Sequence, residues 1–324
     1  MILLKDIKGQ SNAVQYLQNS LSSGKIANGY LFTGPDGVGK ATSVRGFLAE
    51  LMCVSGRAGA RACGVCSACK GVDSLNHFDV TWITTEKPKR IGIGEVRAAK
   101  AKLSLKPYGS QVNVCVIEDA HLMTPEAANA LLKMLEEPPG KSLIVLISDK
   151  KEALLPTVVS RCVAVRFNPL SIAETIEIIK EHSDVDNDEA RFLAGFSCGS
   201  PGRAIEMLSR GIPDRRSQIT RLLFEISRGE YPGLFCWDKN DRVSLMEDFE
   251  LLIMFFRDIA VMKDAPDLLV DKQLADNSRY DIFREYSIEK ICDIIEKLAG
   301  IKRSLEGNVN PKLVAPVLPG IIGN

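Results

Sequence analysis

The sequence has no excess of charge of either sign: 41 Lys and Arg balance 41 Asp and Glu across 324 residues. That balance excludes a strong whole-molecule attraction to DNA or to an anionic membrane, so any basic surface must be local. Long apolar runs are missing as well. None reaches the ~18 residues of a membrane-spanning helix. The opening MILLKDIKGQ has no apolar segment after a positive start, so no secretory signal is read. Internal repeats and low-complexity stretches are absent too. Hydrophobic residues at 45% and charged residues at 25% describe an ordinary globular chain. The expectation is a cytoplasmic protein without membrane contact, long enough for two or three domains.

Cysteine is not scarce. There are nine, and four of them fall between Cys53 and Cys69, while Cys115, Cys162, Cys198, Cys236 and Cys292 are isolated. In a reducing compartment clustered cysteines suggest metal and isolated ones suggest core filling. The cluster reads Cys53-x9-Cys63-x2-Cys66-x2-Cys69. Four soft thiolates with no open position suit a tetrahedral, structural zinc. The competing readings are a redox dithiol or chance clustering, and His77 is the reserve fourth ligand if Cys53 is not used.

Val14, Leu17 and Leu21 have helical spacing over 11–24, ending at Gly24. Gly29–Thr33 reads as a buried strand, and Val44, Phe47, Leu48 and Leu51 predict a helix soon after it. Between them lies Gly34-Pro35-Asp36-Gly37-Val38-Gly39-Lys40, which fits G-x-x-x-x-G-K in its required strand–loop–helix setting. Gly34, Gly37 and Gly39 let backbone N–H groups turn toward a phosphate, and Lys40 reaches the outer phosphates. The next residue is Ala41, where a Ser or Thr hydroxyl normally ligates magnesium. Thr42 lies one step on, about 100° around the helix, and is a poor substitute.

Further strands are predicted at Asp79–Ile83, Val112–Ile117, Ser142–Ser148 and Val163–Phe167, with helices from Val96 to Leu105 and from Thr124-Pro125 onward. The latter helix carries the stripe Ala127, Ala128, Leu131, Leu132, Leu135 and ends at Pro138-Pro139. Near-continuous apolar strands alternating with helices imply an α/β parallel sheet covered on both faces. Gly64–Gly71 and Gly229–Gly233 are the best loop candidates. From Pro169 only helical periodicity remains. One small unit runs from Ser171 to about Leu208, broken by Gly199-Ser200-Pro201-Gly202, and a longer helical region runs from about Asp214 to the end.

The second site of a P-loop ATPase is an acid pair ending a central strand, ordered Asp then Glu. Here Glu118-Asp119 reverses that order. Glu118 could reach a metal through its longer arm, while Asp119 is short for the base role; the bland alternative is a strand-end pair with no catalytic duty. Arg161, in Ser160-Arg161-Cys162, is either an ordinary salt-bridged surface residue or a group that reaches a neighbouring subunit's nucleotide. Arg203 could meet a phosphate or pair with an acid. Lys87, Lys89, Arg90, Arg97, Lys100 and Lys106 form a locally basic stretch, readable as a DNA face or as solvated surface.

With these pieces placed, the chain resembles the clamp-loader branch of the AAA+ family, and within it the delta-prime subunits of the bacterial DNA polymerase III clamp loader. The resemblance rests on several motifs: Gly9-Gln10, Tyr30-Leu31-Phe32, Ala127 to Lys133 running into Leu135-Glu136-Glu137-Pro138-Pro139, Ser160-Arg161-Cys162, the four-cysteine insertion, Gly199 to Ala204, and Asn308-Val309-Asn310-Pro311. It covers most of the chain. It implies a RecA-like P-loop AAA+ domain over 1–168 with a zinc module at 53–69, a helical lid over 169–209 and an all-α collar over 210–324. It implies gamma/tau and delta subunits as ring partners, with the sliding clamp and primer-template DNA engaged by the complex. In the delta-prime role Arg161 acts in trans, as an arginine finger, on a gamma/tau ATP site. Ala41 and the Glu118-Asp119 order agree with that role and leave ATP or ADP binding open. Asp149, at the end of the Ser142–Ser148 strand, stands where motor subunits carry Thr-Thr or similar, and its charge would repel a triphosphate. The alternative is an active gamma/tau-like motor. Tau-type chains usually extend well beyond the collar.

Overall fold

A computed structural model describes residues 2–55, 62–84, 89–229, 242–276, 280–307, 309–310, 314 and 317–322. The expected 230–233 loop, Cys236, Lys87, Asn308 and Pro311 lie outside them. The chain clusters into two compact units. One comprises Met1–Glu174 with Gly199–Gly202, the other Thr175–Cys198 with Arg203–Asn324.

The first unit is built on five parallel strands: β1 (Gly29–Thr33), β2 (Val80–Ile83), β3 (Asn113–Ile117), β4 (Ser142–Ser148) and β5 (Val163–Arg166). Their order is β2-β3-β4-β1-β5. Every residue of β1, β3 and β4 is buried, as a sheet covered on both faces requires. The covering helices are α1 (Ser11–Ser23), α2 (Lys40–Met52), α3 (Ser67–Asp73), α4 (Ile93–Leu103), α5 (Pro125–Glu136) and the short α6 (Pro156–Val159). Gly24 ends α1 in the left-handed conformation, with its N–H donating to the Leu21 carbonyl. Thr124 caps α5 through its hydroxyl, which accepts from the Ala127 N–H at 3.3 Å, and Pro125 takes the first turn. On α5 the buried stripe uses Met134 where Leu132 was expected, and Leu132 is only partly buried.

Three local expectations are corrected. Helix α4 starts three residues before Val96, because the Glu95 carboxylate accepts from the Gly92 N–H at 3.1 Å and caps its first turn. The 64–71 stretch is not all loop: α3 begins at Ser67, capped by Cys66 Sγ, which accepts from the Cys69 N–H at 3.5 Å. Core filling holds for buried Cys115, whose thiol burial pushes up to about 12, and for Cys162, pushed by burial up to about 11. It fails for Cys198 and Cys292, which are exposed: Cys198 follows the end of a helix at φ +53°, and Cys292 lies on an outward helical face.

The second unit is helical. It takes in α7 (Ile172–His182) from Thr175 onward, α8 (Asn187–Phe196), α9 (Pro201–Ser209) from Arg203 onward, α10 (Ile212–Ser227), α11 (Arg242–Asp264), α12 (Gln273–Asp276), α13 (Asp281–Arg284), α14 (Ile288–Glu306) and α15 (Leu318–Ile322). One apolar cluster runs through it from Ile179 to Ile322, with Phe249, Phe256 and Phe283 fully buried. Among the described residues no helix is long and apolar enough to cross a membrane.

Candidate functional site

The P-loop leaves the C-terminal end of β1. Gly34 has φ +148°, and a Cβ there would lie 2.2 Å from the Phe167 carbonyl oxygen, so only glycine fits. Gly37 and Gly39 have φ +73° and +97°, and Gly39 is the N-cap of α2. Lys40 is buried, and its ammonium donates to the carbonyls of Gly34, at 2.7 Å, and Pro35. Ala41 and Thr42 occupy the first turn of α2, so the first residue after the lysine presents a methyl group and no hydroxyl.

Two further segments hold this loop. Ser200 Oγ donates to the Asp36 carbonyl at 2.6 Å, and the Gly202 N–H donates to the Gly37 carbonyl at 2.9 Å. A Cβ on Gly202 would sit 2.9 Å from Gly37 Cα, which explains the glycine. Gln10 Nε2 donates to Asn168 O at 2.7 Å and to Val38 O at 3.3 Å, while Gln10 Oε1 accepts from the Asn168 N–H. The side chain thus pins the loop to the end of β5. The Gly9-Gln10 motif hinted at this residue, but only the fold joins positions 10, 38 and 168.

At the end of β3 the Glu118 N–H donates to Ile83 O at 2.9 Å. Burial raises the Glu118 carboxyl above its ordinary range, against the pull of Arg45 on α2; neighbouring Asp119 adds to the rise. Asp119 has φ +47° and turns the chain into a short 3-10 turn, Ala120–Leu122. That turn brings His121 Nδ1 to 3.1 Å from Asp149 Oδ1 and 3.4 Å from Ser148 Oγ at the end of β4.

The four cysteines meet. Sγ atoms of Cys53 and Cys66 are 4.0 Å apart, as are those of Cys63 and Cys69, and all four lie within 4.8 Å of one another. A disulfide needs about 2.05 Å. Four sulfurs each ~2.3 Å from one ion would be about 3.8 Å apart at tetrahedral angles, close to this spread. Backbone N–H groups of Cys63, Cys66 and Cys69 point at the sulfurs of Cys53, Cys63 and Cys66 at 3.3–3.5 Å. Such donors stabilise thiolate. Burial works against ionisation of Cys66, but the N–H groups of Cys69 and Val54 outweigh it and bring the thiol down to about 6. The donor set fits zinc. His77 stands outside it, with Nδ1 accepting from the Asp79 N–H.

Arg161 follows α6 and precedes β5. Its Nη2 lies 2.7 Å from Glu136 Oε1, and its Nη1 donates to Thr157 O at 3.1 Å; the side chain is 39% exposed. A Cβ on Gly29, the first residue of β1, would be 3.3 Å from Arg161 O. The P-loop leaves the other end of that five-residue strand, about 16 Å away at ~3.3 Å per residue. Arg161 and the chain's own P-loop therefore occupy opposite edges of the sheet. Arg203, in the second unit, pairs with Glu250 at 2.7 Å, and Glu250 also accepts from Lys302. Arg90, Arg97, Lys100 and Lys106 are exposed, as is Lys89.

Residues 9–171 match the family model described as DNA polymerase III, delta subunit. The chain is 27% identical to the delta' subunit of Bacillus subtilis, over 93% of this chain and 92% of that one. It is 33% identical to the delta' subunit of Pseudomonas aeruginosa, over 60% of this chain and 59% of the relative. It is 24% identical to the tau subunit of B. subtilis, over 95% of this chain but only 59% of that protein's length. Among solved structures, a DNA polymerase III gamma subunit-related protein from Thermotoga maritima aligns with 95% of this chain and 98% of its own at 17% identity and a TM-score of 0.48. The RuvB Holliday junction branch migration motor of the same organism aligns over 88% of each chain at 17% identity and a TM-score of 0.46. The match to the family model spans half of the sequence and coincides with the P-loop unit, and the chain belongs to the DNA polymerase III delta subunit family.

Proposed function

We propose that this chain is the delta-prime, stator-type subunit of a bacterial clamp loader, one that donates Arg161 to the ATP site of an adjacent gamma/tau subunit. The supporting observation is the division between the two edges of its sheet. At the C-terminal edge the chain's own P-loop is followed by Ala41, without the magnesium-binding hydroxyl, and the acid pair past β3 runs Glu118-Asp119, in reversed order. At the opposite edge Arg161 is half-exposed, too far from that P-loop to serve it and able to serve a neighbour. In this reading the P-loop unit carries a structural zinc on Cys53, Cys63, Cys66 and Cys69. Residues 169–209 are a lid, and 210–324 form a collar that joins gamma/tau and delta subunits in a ring. The ring places the sliding clamp on primer-template DNA in the cytoplasm. Gly34, Gly37, Gly39, Lys40, Ala41, Thr42, Glu118 and Asp119 belong to a degenerate nucleotide site without fast hydrolysis, at which ATP or ADP binding stays open.

A gamma/tau-like motor is the second reading, favoured by the intact glycines, by Lys40 and by the similarity to tau over 95% of the chain. Turnover separates the two. The isolated chain is expected to hydrolyse ATP no faster than a Lys40→Ala variant. Magnesium-dependent turnover clearly above that variant refutes the stator reading and favours the motor. Calorimetric titration with ATP, with and without magnesium, then tells a closed pocket from one that binds without hydrolysing.

A further inference from the structure

Beside the P-loop, three side chains from two strand ends converge in a way that neither the trans arginine nor the zinc module uses. Strands β3 and β4 pair in parallel with Ile117 beside Leu146, so the residues just past their ends are neighbours. The turn at Asp119 carries His121 back over those ends, and Asp149 follows β4. One nitrogen or oxygen atom from each of Asp119, His121 and Asp149 lies within 4.8 Å of the others. The His121 side chain is only 6% exposed. Asp149 Oδ1 is enclosed and faces His121 Nδ1 at 3.1 Å, yet it accepts no hydrogen bond of good geometry.

We propose that Asp119, His121 and Asp149 form a second metal site, distinct from the four-cysteine set, for a small divalent cation of the manganese class. One imidazole nitrogen and two carboxylate oxygens, without sulfur, select a harder ion than the thiolates do. Two ligands each ~2.1 Å from one cation and at right angles are about 3.0 Å apart, which is the His121–Asp149 spacing. A shared cation also satisfies the Asp149 oxygen and brings two carboxylates together without mutual repulsion. The location, past the carboxyl ends of parallel strands, is where open α/β sheets take ligands. The site needs no nucleotide and does not depend on the stator reading.

The test uses the full, zinc-loaded, nucleotide-free chain titrated with Mn2+ and followed by electron paramagnetic resonance. One bound Mn2+ per chain is expected, with a dissociation constant below ~1 mM, and pulsed spectra should carry the nitrogen coupling of a bound imidazole. His121→Ala and Asp149→Asn should each weaken binding by about tenfold or more. Asp149→Asn is nearly isosteric and keeps the test alive if His121→Ala misfolds. A plain His121–Asp149 ion pair predicts no bound Mn2+ at 1 mM. That result overturns the proposal, as do binding that survives both substitutions and bound Mn2+ without imidazole coupling.

Discussion

Glu118 illustrates how a single side chain reports on its surroundings. Burial lifts its carboxyl above the ordinary range, more than Arg45 lowers it. The folded chain therefore holds that proton more tightly than the unfolded chain does. Parent stability should fall as pH rises through the unfolded carboxylate value of ~4.3 and on through the raised folded one. Glu118→Gln removes this dependence, so its stability relative to the parent should grow with pH over that window and then level off. Urea titrations at a series of pH values check this; a constant difference between the two chains contradicts it. At this scale the sequence located the residues that the structure places just past β1 and β3. Lys40, Ala41, Glu118 and Asp119 were all picked out from their place in strand–loop–helix patterns. The contacts of Gln10 with Val38 and Asn168 and that of His121 with Asp149 were not, because each joins positions that become neighbours only through strand order and register.

Among the elements, two small constructions of the sheet unit rest on polar or sulfur contacts. The Asp79 carboxylate, just ahead of β2, accepts from the N–H groups of Tyr108, Gly109 and Ser110 at 2.6, 3.0 and 2.8 Å. Burial alone would raise its pKa, but those donors outweigh it and hold the carboxyl below its usual value. Asp79→Ala should cost about 1–3 kcal/mol at neutral pH. The stability that the carboxylate contributes is present above its unfolded value and lost as pH falls through the lowered folded one, so the deficit should shrink in acid. Chemical denaturation at neutral and acidic pH measures it, and an equal deficit at both speaks against the carboxylate. The cysteine module is the second construction. Elemental analysis of chain purified without chelator should find one zinc, and Cys66→Ser should lose it. Protein with no zinc would refute the four-thiolate site. The cluster was legible because its spacing is so regular. Helix α3 within it was not: it is seven residues long, contains Gly71 and is capped by a sulfur in place of the usual oxygen. The long strands and α5 were legible for the opposite reason, since β4 is an unbroken apolar run and α5 begins with Thr-Pro.

For the whole molecule, the sequence marked the change from alternating strands and helices to helices alone near Pro169, and the structure has its sheet unit up to Glu174. Helical periodicity could not say how the later helices divide, because apolar stripes show which face is buried without naming the partner. The return of Gly199–Gly202 to the first unit, where it grips the P-loop, was equally hidden. The central claim is that this chain contributes to ATP chemistry at another chain's site, through an arginine on the far edge of its sheet. The most direct measurement is steady-state ATP hydrolysis by a loader reconstituted with its gamma/tau and delta subunits, comparing the parent chain with Arg161→Ala. Circular dichroism and co-purification should first show that the variant folds and assembles. Loss of an arginine finger lowers the rate at the site it serves by a factor on the order of 10³ or more. The variant loader should therefore lose at least that site's share of total turnover. An assembled loader that hydrolyses ATP at the parental rate would contradict the account.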